Sequence, residues 1–526
     1  MDAFDTESKP STEAPASRRI GGAELLPMVA EALNRWPSAG LAVGVVDRNG
    51  LAWFHGHGVA EVFSRTPVTE DTVFRIGSIT KTFTAIAVMQ LWEQGLLDLD
   101  VPANEYLRAF RLVPTKANLS PVTLRHLLTH TAGIGYWRRL TDLLQPGIGS
   151  GIRAGRSLPS LAEYYHRGLP VEVEPGTKWM YSNHGFAVLG QIVEDVSGQP
   201  LDHYLRDQVF APLGMEHTDL SRSDRVRSQL ATGYVLRARG LKPVADREVL
   251  AIGGGAANSS TADLARYVAA LLRGGANEHG RILKPETLAY MFDPHYQPDP
   301  RVPGMGLAFL RGQEGAHRTI GHDGIVSGFL SQMTLAPEHD VGVVVLANTG
   351  GLDGRGTPVP LGTALLRRLL DLPDNAIRSD VPTHPEVWGE VCGWYGPDPG
   401  PVTNLFTRAF IGAGAEVTAG GGQLTLKPLN PIPAIRRGLR LYPDDPDDPR
   451  MFRVDLSGLG LGTLPLVFTG SHDDRGQKPR LLLNGMSLVK RPDVRNPRPW
   501  VTGALVGAAG AFVIRRRSKR LATKGI

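Results

Sequence analysis

A single cysteine, Cys392, stands in a chain of 526 residues. One thiol excludes any intramolecular disulfide and any cysteine-built zinc cluster. It fits a reducing compartment without requiring one. Residues 1–20 lack an apolar run as well: they are polar, contain Pro10 and Pro15, and read as a disordered arm. A secretory signal needs a basic start and then roughly 7–15 apolar residues, so none is expected here. No Gly-x-Ser-x-Gly occurs, which removes the nucleophile elbow of α/β hydrolases. No repeat of solenoid period is present. Charge excess is small and local. The net charge is +5, but Arg515, Arg516, Arg517, Lys519, Arg520 and Lys524 supply six positive charges at the end, leaving the remainder one charge negative. The body therefore has no nucleic-acid footprint.

What is present can build a large core. Apolar residues make up 42% and charged residues 21%, a balance for a folded chain of more than one domain. Helical spacing is expected over 23–36, followed by apolar runs on either side of Asn49-Gly50, a hairpin signal. Thr123–Gly133 has helical spacing with a glycine stop, and residues 134–170 are loop-rich, a candidate lid or cleft wall. Ser259-Ser260-Thr261 reads as a helix cap. Strands are expected around 318–324, 329–336 and 341–347, and a closing helix at 361–372. Composition turns to Pro, Asp and Asn around 373–388, a candidate linker. Beyond it short apolar stretches between Gly/Pro turns predict a small all-β domain. The expected division is a disordered arm at 1–20, a catalytic domain at 21–375, a linker at 376–388, an all-β domain at 389–496, and a hydrophobic segment with a basic tail at 497–526.

Ser78-Ile79-Thr80-Lys81 opens a strongly apolar helical pattern. On a helix, i and i+3 share a face, with Cβ atoms about 5–6 Å apart. Lys81 can thus reach the Ser78 hydroxyl, a poor nucleophile until a base takes its proton. The spacing alone is weak, and Ser487-Leu488-Val489-Lys490 repeats it at the end of an expected strand, where it reads as chance. His126 and His130 have the i, i+4 spacing of a helical zinc pair. Leu127 stands where a metalloprotease has Glu, and no third ligand is evident. Packing and capping are the expected roles of these histidines, and of His55 and His57. No metal and no cofactor are expected. Gly253-Gly254-Gly255 is not a phosphate loop, because no Gly-Lys-Ser/Thr follows.

Two more motifs follow in order, Tyr181-Ser182-Asn183 and His322-Asp323-Gly324. With Phe74-Arg75-Ile76-Gly77 before the serine, Leu124-Arg125-His126-Leu127-Leu128-Thr129-His130-Thr131 after it, and Glu174-Pro175-Gly176 before the tyrosine, the chain resembles the serine β-lactamase and penicillin-binding-protein superfamily. The resemblance is to the branch containing class C β-lactamases, D-aminopeptidases and related esterases, and it covers about residues 25–372. It implies an α/β (α+β) β-lactamase-like fold, an antiparallel sheet flanked by helices plus an all-helical region. It also implies an acyl-enzyme on Ser78, with Lys81 or Tyr181 as base and a proton shared between them. Asn183 would bind Lys81 and the substrate amide, His322 and Gly324 would line the substrate site, and the Ser78 and Ile325 backbone N–H groups would form an oxyanion hole.

The third motif departs from the lactamase pattern, in which a lysine and a hydroxyl residue precede the glycine and grip a carboxylate. His322 is mostly neutral at pH 7, and Asp323 would repel a carboxylate if it faced the cleft. Esters, or peptides held by their amino end, are the expected substrates. A true β-lactamase, a D-Ala-D-Ala carboxypeptidase and a non-catalytic cell-wall peptide-binding protein are the alternatives. Residues 500–514 carry no charge and Gly503-x-x-x-Gly507 lies among them. At ~1.5 Å per residue they span about 22 Å, short of a ~30 Å hydrocarbon core. Membrane association through this segment is expected, against the alternatives of docking on the body and a cytoplasmic location.

Overall fold

The computed structural model describes residues 22–135, the backbone of 151–153, and 158–351, 356–373, 377–397, 411–430, 435, 437–459, 462–470, 478–483 and 486–497. At its centre lies a seven-stranded sheet. Its strands are β1 (Gly40–Asp47), β2 (Gly50–Glu61), β3 (Thr66–Pro67), β4 (Leu310–Glu314), β5 (His317–Val326), β6 (Phe329–Ala336) and β7 (Val341–Ala347), in the order β4-β5-β6-β7-β1-β2-β3. The pairing of β1 with β7 joins the two ends of this fold antiparallel, Val43 opposite Val345. The expected hairpin is present: Asp47 pairs with Gly50, whose φ of 115° suits glycine.

Strand alternation divides β1 between two cores. Leu41, Val43 and Val45 face helices α1 (Gly22–Arg35) and α6 (Pro358–Leu369), packing with Leu25, Val29, Leu361 and Leu365. Ala42 and Val46 face the larger core, which holds α2 (Thr80–Glu93), α4 (Asn183–Ser197) and α5 (Thr261–Leu272). Ser260 caps α5 as its sequence predicts, accepting the Asp263 N–H at 3.2 Å. In α2 every residue from Thr80 to Leu91 is buried, so this helix has no solvent face until its last turn. Phe83 anchors it, with ring centroids 4.6 Å from Tyr267 and 5.1 Å from Phe210. The expected helix in 123–133 is shorter, α3 (Leu124–Leu128), because Thr123 and His126 close a capping box and His130 already has φ 58°. Most of the loop-rich stretch read as a lid, 136–150 and 154–157, lies outside the described residues.

Downstream, eight strands close into a barrel: Gly393–Pro397, Ala415–Gly420, Gln423–Pro428, Leu439–Pro443, Met451–Asp455, Thr463–Phe468, Arg480–Leu483 and Met486–Arg491. The first pairs with the last, Trp394 opposite Arg491. Inward side chains such as Val417, Leu426, Phe452, Leu466 and Leu488 fill it. The all-β expectation is met, although two of the strands, 415–420 and 439–443, escape a sequence reading because glycine and arginine dilute their apolar pattern. The barrel meets the body at Arg301, which donates to Asp299 (2.7 Å) and to Asp448 (3.0 Å), beside Val302 packed on Val467 and Leu482.

The expectation of membrane association is corrected. Among the described residues no helix is long and apolar enough to cross a membrane. Spanning takes ~20 predominantly apolar residues, and α4, among the longest described helices at 15 residues, is packed into the core. Segment 500–514 itself lies outside the described residues.

The second Ser-x-x-Lys match sits on a strand, where residues three apart point to opposite faces. Ser487 accepts from Arg480 (2.8 Å) and Lys490 donates to the Glu390 carbonyl (2.5 Å). Labelling by a fluorophosphonate, which reports an activated serine, is predicted to be unchanged in Ser487→Ala; loss of the label would contradict this assignment.

Candidate active site

Ser78 lies in a 3₁₀ turn, Gly77–Ile79, that runs directly into α2. Its neighbours Ile76, Gly77, Ile79 and Thr80 are buried while Ser78 is only half-buried. The turn is tight because Gly77 takes φ 53° and its carbonyl accepts the Thr80 hydroxyl at 2.5 Å. Lys81, three residues on, is fully buried. Its Nζ lies 3.0 Å from Ser78 Oγ, 2.7 Å from Asn183 Oδ1 and 2.5 Å from the Gly254 carbonyl. Among the described residues no carboxylate pairs with it. Burial alone therefore pushes the Lys81 amine well below its ordinary value.

Asn183 is the first residue of α4, with Ser182 before it as the cap residue. Its side chain turns to Lys81 and does not cap the helix. Tyr181 precedes this pair, its ring centroid 4.8 Å from Lys81 Nζ. Rings of His130 (4.3 Å), Trp179 (6.0 Å) and His322 (6.3 Å) surround it. The structure thus brings Ser78, Lys81, Tyr181, Asn183 and His322 into one neighbourhood.

Strand β5 passes directly over the serine turn. A side chain at Gly324 would collide with the Ile76 carbonyl and with Ser331 Oγ, which donates to that carbonyl at 2.8 Å. A Cβ on Gly77 would stand 2.9 Å from the Ile325 backbone N. Glycine at both positions lets the Ile325 amide approach the serine turn.

Alternation along β5 separates His322 from Asp323. His322 lies on the side of Tyr181, and burial, with a smaller contribution from Lys81 when that amine is protonated, lowers its imidazole to about 3. Its Nδ1 bonds the Asp323 carbonyl at 2.7 Å. Asp323 is opposite Gln332 of β6, and burial pushes its carboxyl up to about 6 while a bond from Gln332 pulls the other way. The condition under which Asp323 would repel a substrate carboxylate, that it face the cleft, is not met. What remains is a neutral imidazole in place of a cation.

The histidine pair at 126 and 130 does not share a helix face, since α3 ends at Leu128. His126 Nδ1 accepts the Thr123 N–H and His130 Nδ1 accepts the Ser182 N–H, each at 3.2 Å. Among the described residues no group of three His, Cys, Asp or Glu side chains could hold a metal ion. Two participants escape sequence reasoning. Gly254 contributes only a backbone carbonyl, visible in the sequence as nothing more than a glycine run. That run allows the approach, because a Cβ at Gly253 would meet the Phe186 carbonyl of α4 at 2.8 Å. His130 reads as a packing residue, and only the fold shows it against Tyr181.

Comparison with known proteins gives the same direction. The family model Beta-lactamase matches residues 29–364. Unguisins hydrolase ungD' of Aspergillus campestris is 29% identical over 359 residues, covering 65% of this chain and 64% of that protein. Esterase EstB of Burkholderia gladioli is 39% identical over 184 residues, 33% of this chain and 45% of its own. The chain thus spans less than two thirds of these curated relatives. Among solved structures, the octameric penicillin-binding protein homologue from Pyrococcus abyssi superposes with a TM-score of 0.57 at 24% identity, over 90% of this chain and 100% of that one, which is a likeness of fold.

A lysine whose native value is depressed makes stability depend on pH. Below the native value both states are protonated and burial of the cation costs its full amount; that cost fades as pH rises toward the unfolded value of ~10.4. In chemical denaturation between about pH 7 and 10, wild type should gain stability relative to Lys81→Met as pH increases. A difference that is flat or falls with pH would contradict a depressed Lys81.

Proposed function

The chain belongs to the beta-lactamase family of serine hydrolases, and from that membership we propose that it cleaves esters or amides through an acyl-enzyme on Ser78. One observation carries this reading: an amine buried with no carboxylate partner among the described residues, 3.0 Å from a half-exposed hydroxyl. A neutral lysine has two N–H bonds and one lone pair. Asn183 Oδ1 and the Gly254 carbonyl are pure acceptors and take the two N–H bonds. The lone pair is then left for the Ser78 proton.

On this reading, Ser78 Oγ bonds to the substrate carbonyl carbon as its proton passes to Lys81. The carbonyl π electrons move to oxygen, where the N–H groups of Ser78 and Ile325 would receive them, each donor being worth on the order of 3 kcal/mol. Collapse expels the alcohol or amine, which takes a proton from the Lys81–Tyr181 pair. Water then repeats the sequence on the acyl-enzyme, with that pair as base. Proton sharing between amine and phenol makes the pair a single titrating unit.

Substrate class follows from His322. A neutral imidazole offers no positive charge to a carboxylate, so β-lactams and free C-terminal carboxylates should bind poorly, and neutral esters or amides well. The relatives named esterase and hydrolase support that direction.

Fluorophosphonate should label the wild-type protein and not Ser78→Ala, with ester turnover reduced about a thousandfold or more in the variant. Labelling that survives Ser78→Ala would remove the proposed nucleophile. Nitrocefin should be turned over far less efficiently than a p-nitrophenyl ester, and efficient nitrocefin hydrolysis would overturn the substrate assignment.

A further inference from the structure

His130 is a residue with a Cβ in the left-handed region, at φ 58°. Such a conformation is costly and is kept where its surroundings over-determine it. Here the surroundings are the three residues around Tyr181. The His130 carbonyl accepts the Met180 N–H at 2.7 Å, and its Nδ1 accepts the Ser182 N–H at 3.2 Å. One histidine therefore holds the backbone on both sides of Tyr181, while its ring lies over the phenol ring at 4.3 Å and 34°. Phe186 (5.1 Å) and Trp179 (6.1 Å) close on the same imidazole. The left-handed turn is fastened from outside: Thr131 N–H donates to the His126 carbonyl and Gly176 N–H to the Thr131 carbonyl, each at 2.8 Å.

Because Nδ1 accepts a backbone N–H, it carries no proton, and the neutral ring holds its proton on Nε2. Protonating Nδ1 would break the bond to Ser182. Full burial beside Lys81 keeps the ring neutral, in the direction this bond requires.

We infer that His130 is the positioning residue for Tyr181, fixing where the phenol stands relative to Lys81 through its two backbone bonds and its ring face. This rests on the reading that Tyr181 shares a proton with Lys81. It adds that the 124–133 segment, which touches neither Ser78 nor Lys81 through any described hydrogen bond, governs turnover chiefly through the tyrosine.

The test is a double-mutant cycle on a p-nitrophenyl ester. Glycine adopts the left-handed region freely, so His130→Gly keeps the backbone path while removing ring and acceptor, and circular dichroism checks that it folds. We expect His130→Gly to lower kcat by about 10–100-fold, the scale of a small misplacement of a reacting group, with KM changed less than about threefold. In a Tyr181→Phe background the same substitution should lower kcat by less than about threefold, because the group it positions is gone. His130→Asn should recover about tenfold or more of the loss, since asparagine tolerates the left-handed region and its Oδ1 can accept the Ser182 N–H. Losses that multiply in the double variant, or a folded His130→Asn enzyme no better than His130→Gly, would overturn the inference alone. Undiminished kcat in Tyr181→Phe would overturn it together with the tyrosine's part in the proposed reaction.

Discussion

The structure is arranged around an amine that has been taken out of water and, among the described residues, given no counter-charge. Lys81 sits in a helix buried on all sides over its first three turns. A charged ammonium there would have lost its hydration without an ion pair in return, so the neutral form is favoured. Had an aspartate or glutamate stood beside it, the same lysine would be a spectator cation. The acceptors it does have, an amide oxygen and a peptide carbonyl, orient its N–H bonds without fixing a positive charge. Stability is lowered by this arrangement, and an amine lone pair beside the Ser78 hydroxyl is what it leaves behind.

Other features follow from bringing four chain segments against that amine. The 3₁₀ turn Gly77–Ile79 and helix α2 deliver serine and lysine, the start of α4 and the residues before it deliver asparagine and tyrosine, strand β5 crosses the serine turn, and the short helix Ile252–Gly255 presents the Gly254 carbonyl. Backbones must approach closely for this, and glycine stands at the crossings: Gly77 under the Ile325 amide, Gly324 over the Ile76 carbonyl, Gly253 against α4. Where glycine is absent, His130 takes the left-handed conformation with a full side chain, and that side chain meets Tyr181.

The sequence speaks clearly about what is local. Helix spacing after Ser78 predicts the Ser78–Lys81 contact, Asn49-Gly50 predicts the β1–β2 hairpin, and Ser260 predicts a helix start; each depends on residues a few positions apart. Assembly of the three motifs in one cleft is legible only through their resemblance to a family, because the periodicity of one segment carries no information about its distance from another. The direction of Asp323 is likewise a property of strand pairing, since a one-residue change of register would exchange it with His322. Gly254 and His130 act through a peptide carbonyl and through a backbone conformation, which composition does not reveal. Within the barrel, alternation exposes the strands that are rich in leucine and valine and misses 415–420 and 439–443.

The central claim is that Lys81 is an uncharged amine at working pH, and isotope-edited NMR of lysine side chains tests it most directly. With Lys81→Met identifying the resonance, the Lys81 Cε and Nζ shifts should be those of a neutral amine at about pH 8, titrating well below the ~10.4 of an ordinary lysine. Shifts of an ammonium group persisting to about pH 10 would contradict the account.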